Sequence, residues 1–586
     1  MKTKILSLVT ILSLLFYTCK KTDVKTVPPN NPQPPVLPTG SSPITSSVQG
    51  NVFNEGGQPV SGVTITVGSK TAITDLRGYF RINNASLDKN ASVLTGNMNG
   101  YFKIVKTFAA TSGVNYIRIK MIKKNLIGTI SGSTGGTATL SDGSSVTLPA
   151  NGVIKKSDNS AYTGAINVYA SPIDPSAQDF AESIPGNLMG NDSSGKRVGL
   201  QSFGMLAVEL ESSAAEPLQI ASGKTASLSF NIPSSFQATA PSSIPLWYMN
   251  DTTGLWIQQG TATKSGSTYT GTVSHFSFWN CDRPINAIML TMTVTDANSK
   301  PLQYVTVELK SSDYGVSYGF TDSLGQVSGL VPFNEKLNYG ISSSWQCADN
   351  FVAATIGPFT ESSGITVVAD ASTLTTTLSG TLTNCGNSPV TNGYALIYHG
   401  YAQFIAPVDQ NGNFSISLAK CGSNDSITVI GIDSSGNQQS VTAYYVLSSA
   451  SVNIGTLNAC GQSTAQFVNA TIDGTTYSLA DSIYSYTYQN NLTFDFAGYK
   501  TGTYVALDFA VPDNGTAGTL PIIGLNYYKD GVGSLQAVTP ININVDLTEY
   551  ASAVGQFYAG NFSGSFTDNA SQAHTVSCSF RVRRTY

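Results

Sequence analysis

The sequence predicts an all-β protein: tandem antiparallel β-sandwich modules following an export signal and a Pro-rich linker. Three observations carry this. Runs with apolar residues at alternate positions recur along the chain, as in Val63-Thr64-Ile65-Thr66-Val67, Val305-Thr306-Val307-Glu308-Leu309 and Phe414-Ser415-Ile416-Ser417-Leu418. Period two marks a half-buried strand, and no amphipathic stretch of helical period competes with it. Gly 55 and Pro 25 punctuate these runs with turn signals, while Tyr 28, Phe 25 and Trp 4 supply the core that an unstructured chain lacks. Finally, only 11% of the 586 residues are charged, against roughly 25% in average soluble proteins. Ser and Thr alternate with the apolar residues where Lys and Glu ordinarily would. Residues 301–586 hold eight Lys or Arg, too few for the basic surface that phosphate neutralisation demands, so nucleic acid is excluded as a partner. The length corresponds to about four or five domains.

The chain opens on Lys2 and Lys4, followed by an apolar stretch from Ile5 to Tyr17. That stretch is shorter than the roughly 20 residues a spanning helix needs, and it reads as a signal peptide. Thr18-Cys19-Lys20-Lys21 follows it directly. A cysteine behind a small residue at this place resembles the lipobox of bacterial lipoproteins, and the Cys-Lys-Lys start is similar to lipoproteins of the Bacteroidota. Phe16 and Tyr17 depart from a strict lipobox. The resemblance implies residues 1–19 as a lipoprotein signal peptide, lipidation of Cys19, and a membrane partner reached through a lipid anchor. The expected location is the outer membrane, exposed at the cell surface. An ordinary secretory signal is the alternative. Residues 20–43 contain seven prolines between Pro28 and Pro43 and form an extended spacer.

Three segments then repeat a strand, a proline turn, a strand and an Asp-x-x-Gly-x-apolar turn. The first, residues 44–123, carries Gln58-Pro59-Val60 and Asp75-Leu76-Arg77-Gly78-Tyr79-Phe80. The second, residues 284–371, carries Lys300-Pro301-Leu302 and Asp322-Ser323-Leu324-Gly325-Gln326-Val327. The third, residues 372–460, carries Ser388-Pro389-Val390 and Asp409-Gln410-Asn411-Gly412-Asn413-Phe414. Asp caps the turn and Gly takes the positive φ of a tight hairpin. Calcium ligation by these aspartates is disfavoured, since each turn offers one carboxylate where calcium takes six to eight oxygens. The pattern resembles the carboxypeptidase regulatory-like domain, which implies a seven-stranded transthyretin-like sandwich. No His-x-x-Glu or His-Glu-x-x-His is present, and His275, His399 and His574 lie far apart. The resemblance therefore implies no peptidase activity, and we expect no catalytic residues, metal or cofactor.

Residues 124–283 form a different β-sandwich module that looks like the extracellular module of cartilage-intermediate-layer-type surface proteins. Trp247, Trp256 and Trp279 gather near its end. Exposed, they would be binding aromatics for sugar rings; buried, they would fill the core, which their apolar flanks favour. Residues 461–586 form a C-terminal β domain in which Tyr484, Tyr486, Tyr488, Phe494 and Phe496 alternate. Core and binding platform are again the two readings.

Beyond Cys19 the cysteines are Cys281, Cys347, Cys385, Cys421, Cys460 and Cys578. An even number in an exported chain permits disulfides. In a seven-strand antiparallel sandwich Cys385 follows strand one and Cys460 follows strand seven, at the same end, while Cys421 falls at the other. A Cys385–Cys460 bridge is thus expected, with free thiols as the alternative. Four segments, at Asp251-Thr252, Asp322-Ser323, Asp425-Ser426 and Asp481-Ser482, resemble Bacteroidota O-glycosylation acceptors.

The functional expectation is a non-catalytic cell-surface stalk or adhesin-like protein, its modules in a row, contacting other surface proteins or glycans. A carbohydrate-binding accessory protein of a glycan uptake system is the alternative, and a surface hydrolase without a recognisable motif the second.

Overall fold

The computed structural model describes residues 33–342, 351–369, 374–399, 402–420, 425–436, 438–463, 466–479, 482–500 and 503–585. The signal segment with Cys19, most of the linker, Cys347, Cys421 and Asp481 lie outside the described residues. The chain is all-β: among the described residues the helical elements are two short turns, Phe180–Ser183 and Ser234–Phe236.

The three repeats share one topology. In the first, Pro43–Phe53 lies between Tyr79–Asp88 and Asn115–Lys120, and a second sheet runs Lys70–Ile73, Thr64–Val67, Ser92–Asn97, Ile104–Phe108. The same order of seven strands, 4-1-7 facing 3-2-5-6, recurs from Ala287–Thr295 to Ser363–Val368. From Leu374–Thr383 to Ser451–Asn458 the 4-1-7 sheet recurs, while the facing sheet keeps 3-2-5 and then carries two short strands, Gln438–Gln439 and Ala443–Val446, both paired with strand five. First and last strands are parallel in each. The alternation read from sequence is the burial pattern observed. Along Asn413–Lys420, for example, Phe414, Ile416 and Leu418 point into the core and Asn413 and Ser415 out of it.

The turn glycine is required twice over. Gly78, Gly325 and Gly412 have φ of 67°, 73° and 77°, where L side chains are strained. Their carbonyls also accept the amides of Val52, Val294 and Leu382 on the first strand. A Cβ would come within 2.3, 2.6 and 2.5 Å of that strand's carbonyl oxygen. The Asp-x-x-Gly motif thus clamps the fourth strand's turn onto the first strand.

In the second module the thirteen strands from Leu126–Ser131 to Phe278–Ile285 join into one continuous sheet, centred on the long strand Arg197–Ser212. The fifth module packs a six-stranded sheet against a five-stranded one around Phe494, Phe496, Phe509, Tyr558 and Phe580.

The modules are not strung in a row, and the expectation is corrected here. The first module hydrogen-bonds the second, third and fourth. Lys106 Nζ donates to the carbonyls of Ile184 and Ala181, at 2.6 and 3.1 Å. Thr111 Oγ1 and the Gly113 amide donate to Asp322 Oδ2, at 2.7 and 2.9 Å. Tyr394 donates to Asp75 Oδ2, and Arg77 Nη2 to Gln439 Oε1 at 3.3 Å. The third and fourth modules meet through Thr375 Oγ1, which donates to Asp296 Oδ2 at 2.8 Å. Short polar contacts of this kind leave no periodic trace in a sequence, which is why strand patterning could not reveal them.

Candidate functional site

The contacts that draw the modules together also form a partly open cavity of about 1080 Å³ at their junction. All five modules line it: Gln49, Arg77, Tyr116 and Arg118 from the first, Glu182 from the second, Tyr304 and Phe320 from the third, Tyr398 and Gln403 from the fourth, Arg583 and Arg584 from the fifth. Its size is at the upper end of small-molecule sites, which run to roughly 1,000 Å³.

Local structure fixes each wall. Arg77 sits inside the first repeat's Asp-x-x-Gly turn. Asp75 Oδ1 accepts the Arg77 and Tyr79 amides at 2.8 and 3.0 Å, which directs the arginine side chain inward. Tyr116 is on the last strand of the first module, and its ring lies 5.6 Å from both Tyr304 and Phe320 of the third. Arg118 spans the wall, 2.7 Å from Glu182 and 4.4 Å above the Phe53 ring. Arg583 ends the chain's last strand, with its backbone held by Gln466 and Ser485.

The electrostatics centre on Arg77 and Arg583, which are 5% and 7% exposed. Arg77 Nε and Arg583 Nε and Nη2 have no hydrogen-bond partner. Burial, then the charge of Arg77, draws the Arg583 guanidinium down to about 9, which leaves it protonated at neutral pH. Burial pushes the Tyr394 phenol well above its usual range, so it stays a donor to Asp75.

The residues singled out by sequence fall elsewhere. Trp247, Trp256 and Trp279 are 0% exposed, so of the two readings the buried one, which their apolar flanks favour, holds, and the alternative of binding aromatics falls. Trp279 belongs to the second module's own core. Trp247 and Trp256 pack with Phe102 and Val105 of the first module, sealing the seam between the two. Their indole N–H groups donate to the carbonyls of Asp282, Asn187 and His275, as buried indoles require. His275 contacts Tyr248 and Trp279.

The alternating aromatics of the fifth module divide. Phe494 and Phe496 are buried, whereas Tyr484 and Tyr486 lie opposite Asp495 and Thr493 on the other face and Tyr488 is exposed. On that face Asp495 and Asp508 are cross-strand neighbours. Burial holds both carboxyls above their usual range, Asp508 at about 6.

Cys385 and Cys460 are disulfide-bonded, each just past one of two parallel strands. Cys281 and Cys578 are buried free thiols. Among the described residues no group of three or more His, Cys, Asp or Glu is placed to hold a metal. The spare oxygens of Asp75 and Asp322 are instead spent on docking, a role sequence reasoning missed, whereas that of Asp409 stays within its own turn. Ser323, one glycosylation-like position, accepts the Val114 amide at 2.8 Å within the docking seam, while Thr252 is exposed. No helix among the described residues is long and apolar enough to cross a membrane.

The site and fold define a modular β-sandwich chain whose modules meet at a central, partly open cavity. No family model matches it. A segment of 119 residues is 29% identical to cartilage intermediate layer protein 2 of Homo sapiens, which is 20% of this chain and 10% of that protein. The chain thus matches about a tenth of that relative's length. Solved structures with similarity include the shaft pilin SpaA from Lactobacillus rhamnosus GG, at 12% identity over 30% of this chain and 98% of that one, TM-score 0.16. The TIE protein of Bacillus anthracis matches at 10% identity over 75% and 66% of the two chains, TM-score 0.14. The major pilin subunit of Bacillus cereus matches at 9% identity over 56% and 100%, TM-score 0.12.

Proposed function

We propose that this chain is a non-catalytic, adhesin-like interaction protein of the bacterial cell surface. It is tethered to the outer membrane through Cys19 and takes a glycan into the junction cavity. The observation that carries the reading is the cavity itself: five modules contribute walls to one partly open cleft. Tyr116, Tyr304, Phe320 and Tyr398 give flat apolar faces, and Gln49 and Gln403 give amides. Aromatic faces with a few oriented polar groups suit neutral sugar rings. The modules packed around the first one also favour a compact binding head over an extended stalk.

A glycan array probed with the purified chain tests the ligand class. Binding that is lost in Tyr398→Ala supports the reading, and a blank array removes it. Labelling of cells with a fatty-acid analogue, lost in Cys19→Ala, tests the anchor. The hydrolase reading retains one observation, the raised carboxyl pair Asp495 and Asp508, since perturbed carboxyls mark acid–base sites. Glycosidic activity abolished by Asp508→Asn would replace the non-catalytic reading.

A further inference from the structure

We infer that the junction cavity selects acidic glycans, binding a carboxylate or sulfate of the sugar beside Arg77 and Arg583. This rests on the glycan reading above and narrows it. The chain has eight arginines, and four of them, Arg77, Arg118, Arg583 and Arg584, line this one cavity. Glu182 is the sole carboxylate among the described lining residues, and it is committed to Arg118 at 2.7 Å.

Behind the wall, Asp75 is the carboxylate whose charge both Arg77 and Arg583 feel. Its oxygens are already taken by two turn amides and Tyr394. Two guanidiniums therefore share one carboxylate, and burial keeps the Tyr394 phenol beside them protonated. Three of their N–H groups have no partner. Uncompensated buried charge is costly, and a bound anion would supply the missing charge. Guanidinium is the side chain suited to carboxylate and sulfate oxygens because its planar fork can bind two at once. The aromatic wall of Tyr116, Tyr304 and Phe320 would then hold the sugar ring that carries the acid.

The test is an array of paired oligosaccharides bound by the full chain. Uronate and sialylated members are paired with their methyl esters, and sulfated members with their desulfated forms. The expected result is that at least one acidic member binds ten times or more tighter than its neutral partner, with affinity falling as salt rises. The uronate and sulfate arms show which acid is preferred. Arg583→Gln should remove the preference and Arg583→Lys should keep part of it. If Arg583→Gln does not fold, Arg77→Gln serves, and the wild-type comparison decides by itself. Equal binding of acidic and neutral partners overturns the acid selection and leaves the glycan reading standing. Binding of neutral members alone does the same. A blank array overturns both.

Discussion

The turn aspartates provide an internal control for how the modules are held together. Asp322 and Asp409 occupy the same place in two repeats and make the same turn. Each Oδ1 accepts two turn amides, Leu324 and Gln326 at 2.7 and 2.8 Å in one case, Asn411 and Asn413 at 2.8 and 2.9 Å in the other. They differ in Oδ2. That of Asp322 is buried and accepts Thr111 Oγ1 and the Gly113 amide of another module. That of Asp409 is exposed and meets only the Asn413 side chain at 3.3 Å. Asn at either position keeps the turn acceptor and replaces Oδ2 by a donor. In Asp322→Asn the Thr111 hydroxyl can rotate to accept, but the Gly113 amide is left unpaired. A buried unpaired donor costs about 1–3 kcal/mol, so docking should weaken by about 2 kcal/mol, roughly thirtyfold. Asp409→Asn should change stability by less than about 0.5 kcal/mol, as exposed substitutions do. The assay is hydrogen exchange at the Val114 amide, whose partner is Ser323 Oγ across the seam. Unlike a denaturation midpoint it reads local opening in a multidomain chain. Acceleration of Val114 in Asp322→Asn alone is expected. Equal rates in the two variants would refute the docking role of Oδ2. Gly113→Ala gives an independent check, because its Cβ would stand 2.1 Å from Asp322 Oδ2. Combining it with Asp322→Asn should add little, since both break one contact.

Three further outcomes follow from the structure. Cys385→Ser with Cys460→Ser opens a loop of 75 residues, and the chain-entropy relation puts the loss at about 4.5 kcal/mol; calorimetry should show the fourth module melting earlier and the first unchanged. Asp282 is 0% exposed, and burial pushes its carboxyl well above the usual range. The folded state then holds a proton that the unfolded state has lost, so stability falls as pH rises from about 4; Asp282→Asn should flatten that slope, and a larger loss at pH 8 than at pH 5 would contradict it. His574 is raised by its hydrogen bond to Asp473, against burial, with help from Asp568. Its contribution is full below the unfolded pKa of about 6.5 and is lost as pH climbs through the higher folded value, so His574→Gln should lower Tm more at pH 5 than at pH 8.5.

Strand identity was legible because it is written in neighbouring residues. Val63-Thr64-Ile65-Thr66-Val67 declares its faces by alternation, and Asp75-Leu76-Arg77-Gly78 declares its turn by the two residue types that a positive φ and an amide-accepting cap demand. The disulfide partner could be reasoned because strand parity places Cys385 and Cys460 at one end. The cavity was not legible. Arg77 reads as a turn residue and Arg583 as part of a final strand, and nothing local shows that their burial is shared. Trp247 and Trp256 drew attention by residue type, yet type alone cannot separate an exposed platform from the seam between two modules. The aromatic alternation at Tyr484–Phe496 divides for a related reason: a hairpin turn intervenes, so the phenylalanines fall in the core and the tyrosines on the opposite face.

The low charge of the chain acquires a structural meaning from the same contacts. With 35 acidic residues in 586, an aspartate on a sandwich is scarce, and the repeats use the scarce ones at seams. Asp75, Asp296 and Asp322 each cap a local turn with Oδ1 and reach another module with Oδ2. A carboxylate suits this because its two oxygens can serve two backbones at once, whereas the asparagines at Asn54 and Asn384, also Asx-turn caps, present a donor on the other side. A seven-strand unit can therefore be copied with its core intact and given a new neighbour by changing which turns carry Asp. The positive charge follows the opposite course. Cations are few and half of the arginines gather at one junction, so a good share of the guanidinium charge is concentrated there. Long-range steering of a charged ligand is then weak, and selection for charge acts only once the ligand is inside.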